Sequence, residues 1–303
     1  MKTITGNEVR KPLAAFGHAV KSVAEAVKAI GFSIISEPAA RLSTGKEIPN
    51  TQNLYRSNDG YCLGQHTPQF TFIQPEEFMH TLEKARQLVG GEWRSAGSFK
   101  SGKSISGFFD IEAKITAPSR GDRVGLAVGG FDRFDGNGLN RLQLFANTLA
   151  CENGMVSPRS LFAFSEKHNG SLAERFAAME FNLAIRLQME IEQMDALVSH
   201  LDSTPMTRTE AVNFAAQLYP ATDENEVSPR IANTREAVVV GFSRGLGNVG
   251  RTRWDAFNAV TENLDWNSSF RETEYSREEN RFESLTSGNG AKIRTRALEL
   301  LTA

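Results

Sequence analysis

The fold is decided by residues 93–115, which read WRSAGSFKSGKSISGFFDIEAKI. A glycine-containing centre, Gly97–Ser104, separates two runs whose apolar residues recur mostly at even spacing, as they do in β-strands. We therefore predict a β-hairpin with a tight turn at this centre. The turn also matches G-x-x-x-x-G-K-[ST], the pattern of a phosphate-binding P-loop. A P-loop runs into a helix, whereas residues 105–111 are β-branched and aromatic with a glycine among them, which favours a strand.

N-terminal to this hairpin, the sequence predicts a helix, several short strands and a second helix. Apolar residues spaced by three and four predict the first helix over Pro12–Ile30. Alternation between residues 32 and 75, as in Phe70–Ile73, indicates short strands. The remaining segments are a hairpin formed by Leu54–Arg56 and Tyr61–Gly64, and a helix that opens at Pro75 and stops at Gly90.

Strands continue after residue 115, and the period becomes helical after Ser171. A hairpin, a helix and an antiparallel β-meander followed by helices define an α+β fold. We divide it into an N-terminal helix or arm (1–31), an α+β core domain (32–156) and a helical C-terminal region (157–303). The predicted strands are Arg123–Phe131 and Leu142–Phe145; the predicted helices are Leu172–Leu201, Thr209–Tyr219, Ile231–Arg244, Thr252–Asp265 and Ala291–Leu301, with an exposed linker at Pro220–Pro229.

Composition excludes an overall attraction to nucleic acid or membrane, because the net charge is only −2 over 303 residues. No apolar run approaches the roughly 18 residues that span a membrane, and the first residues lack the apolar segment of a signal peptide. The two cysteines, Cys62 and Cys151, fit a reducing cytoplasm. No histidine has metal-ligand spacing, and no catalytic triad or carboxylate pair stands out. We therefore predict a cytoplasmic protein that binds rather than catalyses, with no cofactor and no metal.

Basic residues and aromatic rings gather around the hairpin. Cations that follow phosphates, beside rings on which bases stack, are what a single-strand-binding protein needs. A solvated turn with core aromatics is the alternative interpretation. The acidic stretch Glu272–Glu283, with five glutamates and two arginines, would repel DNA and is predicted to lie away from this surface. The predicted DNA groove consists of Arg94, Lys100, Lys103, Arg133 and Arg141, with Trp93 and Phe99 as stacking residues.

An ordered set of short segments carries a family resemblance. The segments are Tyr55–Gly60 with Leu63 and Gly64, Pro68–Gln74, Ala96–Phe99 with Gly102 and Lys103, Cys151–Met155, Lys167–Gly170 and Asn258–Glu262. Together they resemble the phage- and plasmid-encoded proteins of the YafZ/YfjQ-like group, a family catalogued as a domain of unknown function. The resemblance implies a turn between strands at Ala96–Phe99 and brings no settled enzymatic activity.

The predicted order of elements is also similar to that of phage single-strand annealing recombinases of the Red-beta, Erf and Rad-type group. This resemblance implies a ring or filament of identical subunits that holds single-stranded DNA in a basic groove without hydrolysing ATP. We therefore predict a phage- or plasmid-type single-stranded DNA-binding and annealing protein that acts as a homo-oligomer. Two alternatives stay open: a P-loop nucleotide-binding protein that uses Lys103 and Ser104, and a mobile-element protein that binds a host protein.

Overall fold

A computed structural model describes residues 16–116, 123–136, 140–148, 154–156, 162–166, 172–221, 227–245 and 247–303. Within these residues, antiparallel sheets occupy the first half of the chain and helices the second, so the predicted α+β class is confirmed. The strands are β1 (His18–Ala19), β2 (Ile34–Ala40), β3 (Glu47–Arg56), β4 (Cys62–His66), β5 (Glu92–Phe99), β6 (Ser104–Thr116), β7 (Arg123–Arg133), β8 (Asn140–Thr148), β9 (Gly154–Val156) and β10 (Phe162–Glu166). The helices are α1 (Val23–Ile30), α2 (Pro75–Val89), α3 (Leu172–Ser203), α4 (Arg208–Leu218), α5 (Pro229–Arg244), α6 (Arg253–Glu262), α7 (Arg277–Thr286) and α8 (Asn289–Thr302), and a π-helical segment, Asn263–Asn267, follows α6.

The N-terminal helix is shorter than predicted, and residues 12–15 of the predicted span lie outside the described part of the chain. Helix α1 begins only after Ser22, whose hydroxyl accepts a backbone hydrogen bond as the N-cap. Before it, β1 pairs with β5. Gly17 has a φ of +95° and lies so close to β5 that a Cβ would sit 2.5 Å from the carbonyl oxygen of Ala96. The apolar spacing predicted a helix here, but this close backbone approach requires extended chain.

Strands β2, β3 and β4 form a small antiparallel sheet in that order. The predicted hairpin of residues 54–56 and 61–64 is confirmed, since Tyr55 pairs with Cys62 and Leu54 with Gly64. The prediction of a strand at Phe70–Ile73 is wrong. These residues form no ladder, and their alternation instead reflects packing, with Ile73 buried and the Phe70 ring stacked on His66 at 3.8 Å.

The large sheet has seven strands within the described residues, in the order β1-β5-β6-β7-β8-β10, with β9 also paired to β8. The predicted β5–β6 hairpin is confirmed, with Gly97 opposite Ser106 and Phe99 opposite Ser104. The strands predicted at 123–131 and 142–145 are present and slightly longer. Strands β9 and β10 were not predicted.

Helices cover both faces of the large sheet. Consecutive strand residues point to opposite faces, and Gly107 and Phe108 on β6 show what lies on each. A Cβ on Gly107 would meet the side chain of Leu82 in α2 at 2.8 Å. The ring of Phe108 lies 6.1 Å from the ring of Phe282 in α7. The sheet is therefore held between α2 and a helix from the far end of the sequence.

Five of the C-terminal helices were predicted near their observed bounds, and α7 was not predicted. Helix α7 begins at a capping box in which Ser276 and Glu279 satisfy each other's backbone amides. It lies next to α8, where the guanidinium of Arg294 pairs with Asp265, and both side chains are fully buried. Apolar contacts cross the predicted boundary at residue 156, because one continuous core joins the sheet to these helices. Part of the predicted linker, residues 222–226, lies outside the described residues.

Candidate nucleic-acid interface at the β5–β6 turn

The β5–β6 turn is an ordered structure with an unusual backbone. Lys100, Ser101 and Gly102 follow one another with φ values of 53°, 56° and 81°, all in the left-handed region. The amide of Gly102 donates to the carbonyl of Phe99 at 3.2 Å, and the amide of Lys103 donates to that of Lys100 at 3.1 Å. Strand β6 starts at Ser104. The G-x-x-x-x-G-K-[ST] match therefore lacks the helix N-terminus that binds phosphate in a P-loop.

Two carboxylates of α7, those of Glu279 and Glu283, accept hydrogen bonds from the turn. The backbone amide of Lys100 donates to Glu279 Oε1 at 2.7 Å, and its ammonium group donates to Glu283. Arg133 Nη1 donates to the other oxygen of Glu283 at 2.8 Å. The prediction that the acidic stretch 272–283 lies away from the basic residues is therefore wrong. Its glutamates neutralise them, because Phe282 anchors α7 in the core beside the turn.

Through these contacts, Lys100 and Arg133 join the large sheet to α7, which is a structural role. Arg133 also donates to Asp135 at 2.5 Å, so it is shared between two carboxylates. Burial alone would raise the pKa of the Glu283 carboxyl, but hydrogen bonds from Lys100 and Arg133 outweigh it and hold that pKa below its usual value. The side chain of Lys100 is 11% exposed. Neither cation is presented to a phosphate in this structure.

The two predicted stacking residues belong to the core, and their assignment is corrected accordingly. Trp93 is 9% exposed, and its indole N–H donates to Glu83 Oε2 at 2.6 Å. Phe99 is 7% exposed, with its ring edge-on to Phe282 at 4.9 Å. A β-bulge between Trp93 and Ser95 places Trp93 on the face of the sheet next to α2 and Phe99 on the face next to α7, so helices cover both rings and no base can stack on them.

The two remaining members of the predicted groove lie on the strands. Arg94 Nη1 donates to Asp110 Oδ1 at 3.1 Å, and both side chains remain partly exposed. An ion pair of this exposure contributes little and exchanges readily with other charged groups. Arg141 lies in β8 with its backbone opposite Phe131, and its side chain lies outside the described part of the structure.

A different set of residues forms an accessible rim around the turn. Tyr275 accepts a hydrogen bond from Lys103 Nζ at 3.3 Å. Arg56 lies 4.8 Å above the ring of Tyr61, which is 38% exposed, and Tyr61 is within electrostatic reach of Lys103. A Cβ on Gly102 would meet Arg56 Cδ at 2.8 Å, so this arginine packs directly on the turn. We call Arg56, Tyr61, Lys103 and Tyr275 the tyrosine rim.

The electrostatics of the tyrosine rim keep its lysine charged. The hydrogen bond with Tyr275 raises the pKa of Lys103 above its usual value, so the ammonium group persists at neutral pH. Burial raises the pKa of Tyr275, which keeps the phenol neutral. Asp59 pairs with Arg56 at 2.5 Å and is half exposed. The rim thus sets two rings beside Lys103 and beside Arg56, which pairs with Asp59; the ammonium nitrogen of Lys100 lies 4.6 Å from the centre of the Tyr275 ring.

Local sequence reasoning missed this rim because its members come from distant parts of the chain. Arg56 and Tyr61 flank the β3–β4 turn, and Tyr275 precedes α7 by two residues. Only Lys103 belongs to the G-x-x-x-x-G-K-[ST] match in the hairpin. The available signal was compositional: the chain has four tyrosines, and two of them meet at one turn.

Across the described ranges, no three His, Cys, Asp or Glu side chains are grouped so as to hold a metal ion. No helix among the described residues is both long and apolar enough to cross a membrane. Cys62 is exposed, whereas Cys151 lies outside the described residues.

The fold and the site define an α+β protein whose large antiparallel sheet is closed by its own C-terminal helices, with a rim of tyrosines and cations at one turn. The chain belongs to the family described as a domain of unknown function (DUF932), whose profile matches residues 62–286. The match includes β4 of the small sheet, strands β5 to β10 of the large sheet and α7, but not β2, β3, α1 or α8. Neither a curated protein nor a solved structure matches the chain.

Proposed function

We propose that this protein binds single-stranded DNA at the tyrosine rim, as a homo-oligomer and without hydrolysing ATP. The observation that supports the proposal is the convergence of Tyr61 and Tyr275 with Arg56 and Lys103 around one ordered turn. Rings that accept stacked bases, alternating with cations that contact phosphates, are the components of sequence-tolerant single-strand binding. The rim replaces the groove predicted from sequence and keeps Lys103 as its central residue.

The rim favours a single strand over a duplex. A ring can stack only on a base whose face is free, and the bases of a duplex are already stacked on each other. Arg56 and Lys103 provide two phosphate contacts, which for a single strand correspond to a slope of about −1.4 in log affinity against log salt. Because Lys100 and Arg133 are neutralised by α7, we expect a shallower salt dependence than the full predicted groove would give.

The finer parts of the proposal come from sequence resemblance. A phage- or plasmid-type setting is implied by segments such as Ala96–Phe99 and Asn258–Glu262. Annealing of complementary strands, a ring or filament of subunits, and a cytoplasmic location complete the proposal. No catalytic residue or cofactor is proposed.

The proposal is tested by fluorescence anisotropy of a labelled thymidine oligonucleotide titrated with the purified protein at low and physiological salt. We expect binding that weakens with salt. Replacing Tyr275 by alanine should weaken binding by about 1–3 kcal/mol, the range measured for one base stacked on one ring. Tyr275→Phe keeps the ring and should lose much less, which separates stacking from the hydrogen bond to Lys103.

Two further variants and a control measure how much charge contributes to the affinity for DNA. Lys103→Ala should weaken binding and reduce the salt slope, whereas Lys292→Ala, at an exposed position of α8, should change neither. Glu274→Gln removes an exposed acid that acts on Lys103 and should tighten binding slightly. Absence of binding at low salt, or equal affinities for Lys103→Ala and Lys292→Ala, would refute the rim as a DNA site.

The P-loop alternative has no supporting observation in the described structure, because β6 begins at Ser104 and Glu279 accepts from the amide of Lys100. A nucleotide phosphate at this amide would have to displace that carboxylate. We therefore expect ATP to leave DNA binding unchanged, which the same anisotropy assay measures.

A further inference from the structure

The β2–β3 hairpin projects from the protein as an arm. Between residues 35 and 53 only Ala39 is buried, and we call residues 38–51 the arm. Its tip is an ordered turn: the amide of Arg41 donates to the carbonyl of Lys46 at 2.8 Å, and Gly45 takes a left-handed φ of +63°. The arm is therefore a defined hairpin that makes few contacts with the rest of its own chain.

The chemistry of the tip is that of a docking element. Leu42 is 105% exposed, so the whole side chain is open to water. Arg41 and Lys46 flank it, and neither forms an ion pair with any described residue. A large apolar side chain between two cations fits an apolar surface bordered by acids.

Such a surface exists on α3 of the same chain. The buried side of this helix carries Leu187, Met194 and Val198. At 100° per residue, the opposite side carries Ile185, Met189, Glu192 and Ala196, which we call the α3 stripe. Ile185 and Met189 are 61% and 52% exposed. Glu192 and Asp195 supply exposed carboxylates towards the C-terminal end.

We propose that the arm of one copy docks on the α3 stripe of a second copy. Leu42 packs against Ile185 and Met189, while Arg41 and Lys46 approach Glu192 and Asp195. Because two different patches meet, the contact is heterologous and repeats from subunit to subunit into a ring or filament.

A second copy suits the arm better than a nucleic acid does. Glu47 lies in the arm and Glu37 directly before it, and together they offset the charge of Arg41 and Lys46, which disfavours a phosphate backbone. The edge strand β2 contains Pro38, which lacks an amide proton, so docking by strand addition is also disfavoured. The inference extends the homo-oligomer of the proposed function, and its test uses no DNA, so either can fail alone.

The test is sedimentation velocity of the full-length protein over a range of concentrations. We expect assembly that increases with concentration, because a tip of six residues buries less than a standard interface. Leu42→Ser should weaken assembly by about tenfold or more, the effect of removing a central apolar anchor. Val212→Ser, which changes another exposed apolar side chain, on α4, should not.

Charge reversal identifies the partner surface. Arg41→Glu with Lys46→Glu should dissociate the assembly, and Glu192→Lys with Asp195→Lys should do the same. A chain that carries all four changes restores the attraction and should assemble again. Circular dichroism checks that each variant is folded, as expected for exposed positions.

Three outcomes would overturn the inference. The protein could be a monomer at every concentration, or the arm variants could assemble like the unchanged chain. Thirdly, each pair of charge reversals alone could dissociate the assembly while the chain that carries all four changes also stays dissociated. If the arm variants assemble normally but lose affinity for single-stranded DNA, the arm is a nucleic-acid element instead.

Discussion

Replacing Glu283 by glutamine tests whether the basic turn is a structural contact. This side chain is 29% exposed and accepts from Lys100, which is 11% exposed, and from Arg133, which is 20% exposed. Hydrogen bonds to charged partners contribute about 1.5–3 kcal/mol each. Arg133 keeps Asp135, and glutamine keeps one acceptor oxygen, so we expect a loss of about 2–3 kcal/mol in the free energy of unfolding.

The assay is urea unfolding at neutral pH, compared with a matched exposed pair. Glu299 pairs with Arg296, and both side chains are 58% exposed, so Glu299→Gln should cost less than about 0.5 kcal/mol. A double-mutant cycle with Lys100→Met should give a coupling of about 1–2 kcal/mol between Lys100 and Glu283. If Glu283→Gln costs no more than Glu299→Gln, the contact does not hold α7 on the sheet.

The pH dependence of this difference follows from the lowered pKa of Glu283. A carboxyl whose folded-state pKa lies below its ordinary value of 4.5 contributes full stability above that value. The contribution is lost as pH falls through the folded-state pKa. The difference in unfolding free energy between the unchanged protein and Glu283→Gln should therefore be constant above about pH 5 and shrink on acidification.

Three other outcomes are expected. Phe282→Ala should cost about 3–5 kcal/mol in urea unfolding, because the ring is 1% exposed; a cost below 1 kcal/mol would mean that α7 is not anchored. Gly17→Ala should be far more destabilising than Gly60→Ala, since both have positive φ but only Gly17 lacks room for a Cβ; equal melting temperatures would contradict this. Hydrogen bonds from Arg86 and Trp93 lower the pKa of Glu83 to about 2, so acid should remove its stabilisation only below about pH 4.5; Glu83→Gln should erase that part of the pH profile, and an unchanged profile would refute the assignment.

Local patterns predicted the elements well where chemistry and periodicity agreed. The hairpin at Gly97–Ser104 followed from β-branched and aromatic residues around glycine, and α2 followed from Pro75 and its acidic first turn. The long α3 followed from its apolar period. In each case the deciding interactions lie within the element or between adjacent strands.

The errors arose where distant residues decide the outcome. The residues near Gly17 in sequence do not show that it must lie against β5, so this segment was predicted to be a helix. The acidic stretch 272–283 was expected to repel DNA and to lie away from the basic residues, whereas its Glu283 pairs with Lys100 and Arg133. The even spacing of Trp93 and Phe99 predicts one shared face of the strand, but a β-bulge puts them on opposite faces, and helices from distant parts of the chain cover both.

The position of Phe282 has a consequence for how the protein is made. The rings of Phe99, Phe108 and Phe131, which contact Phe282 on one face of the large sheet, have all been synthesised once the ribosome has passed β7. Their cover arrives with Phe282, about 150 residues later, which at 5–20 residues per second is about 8–30 s of translation. During that interval the nascent chain carries an uncovered patch of phenylalanine rings. We therefore expect a chaperone to bind this patch during synthesis, and chains that end before α7 to aggregate.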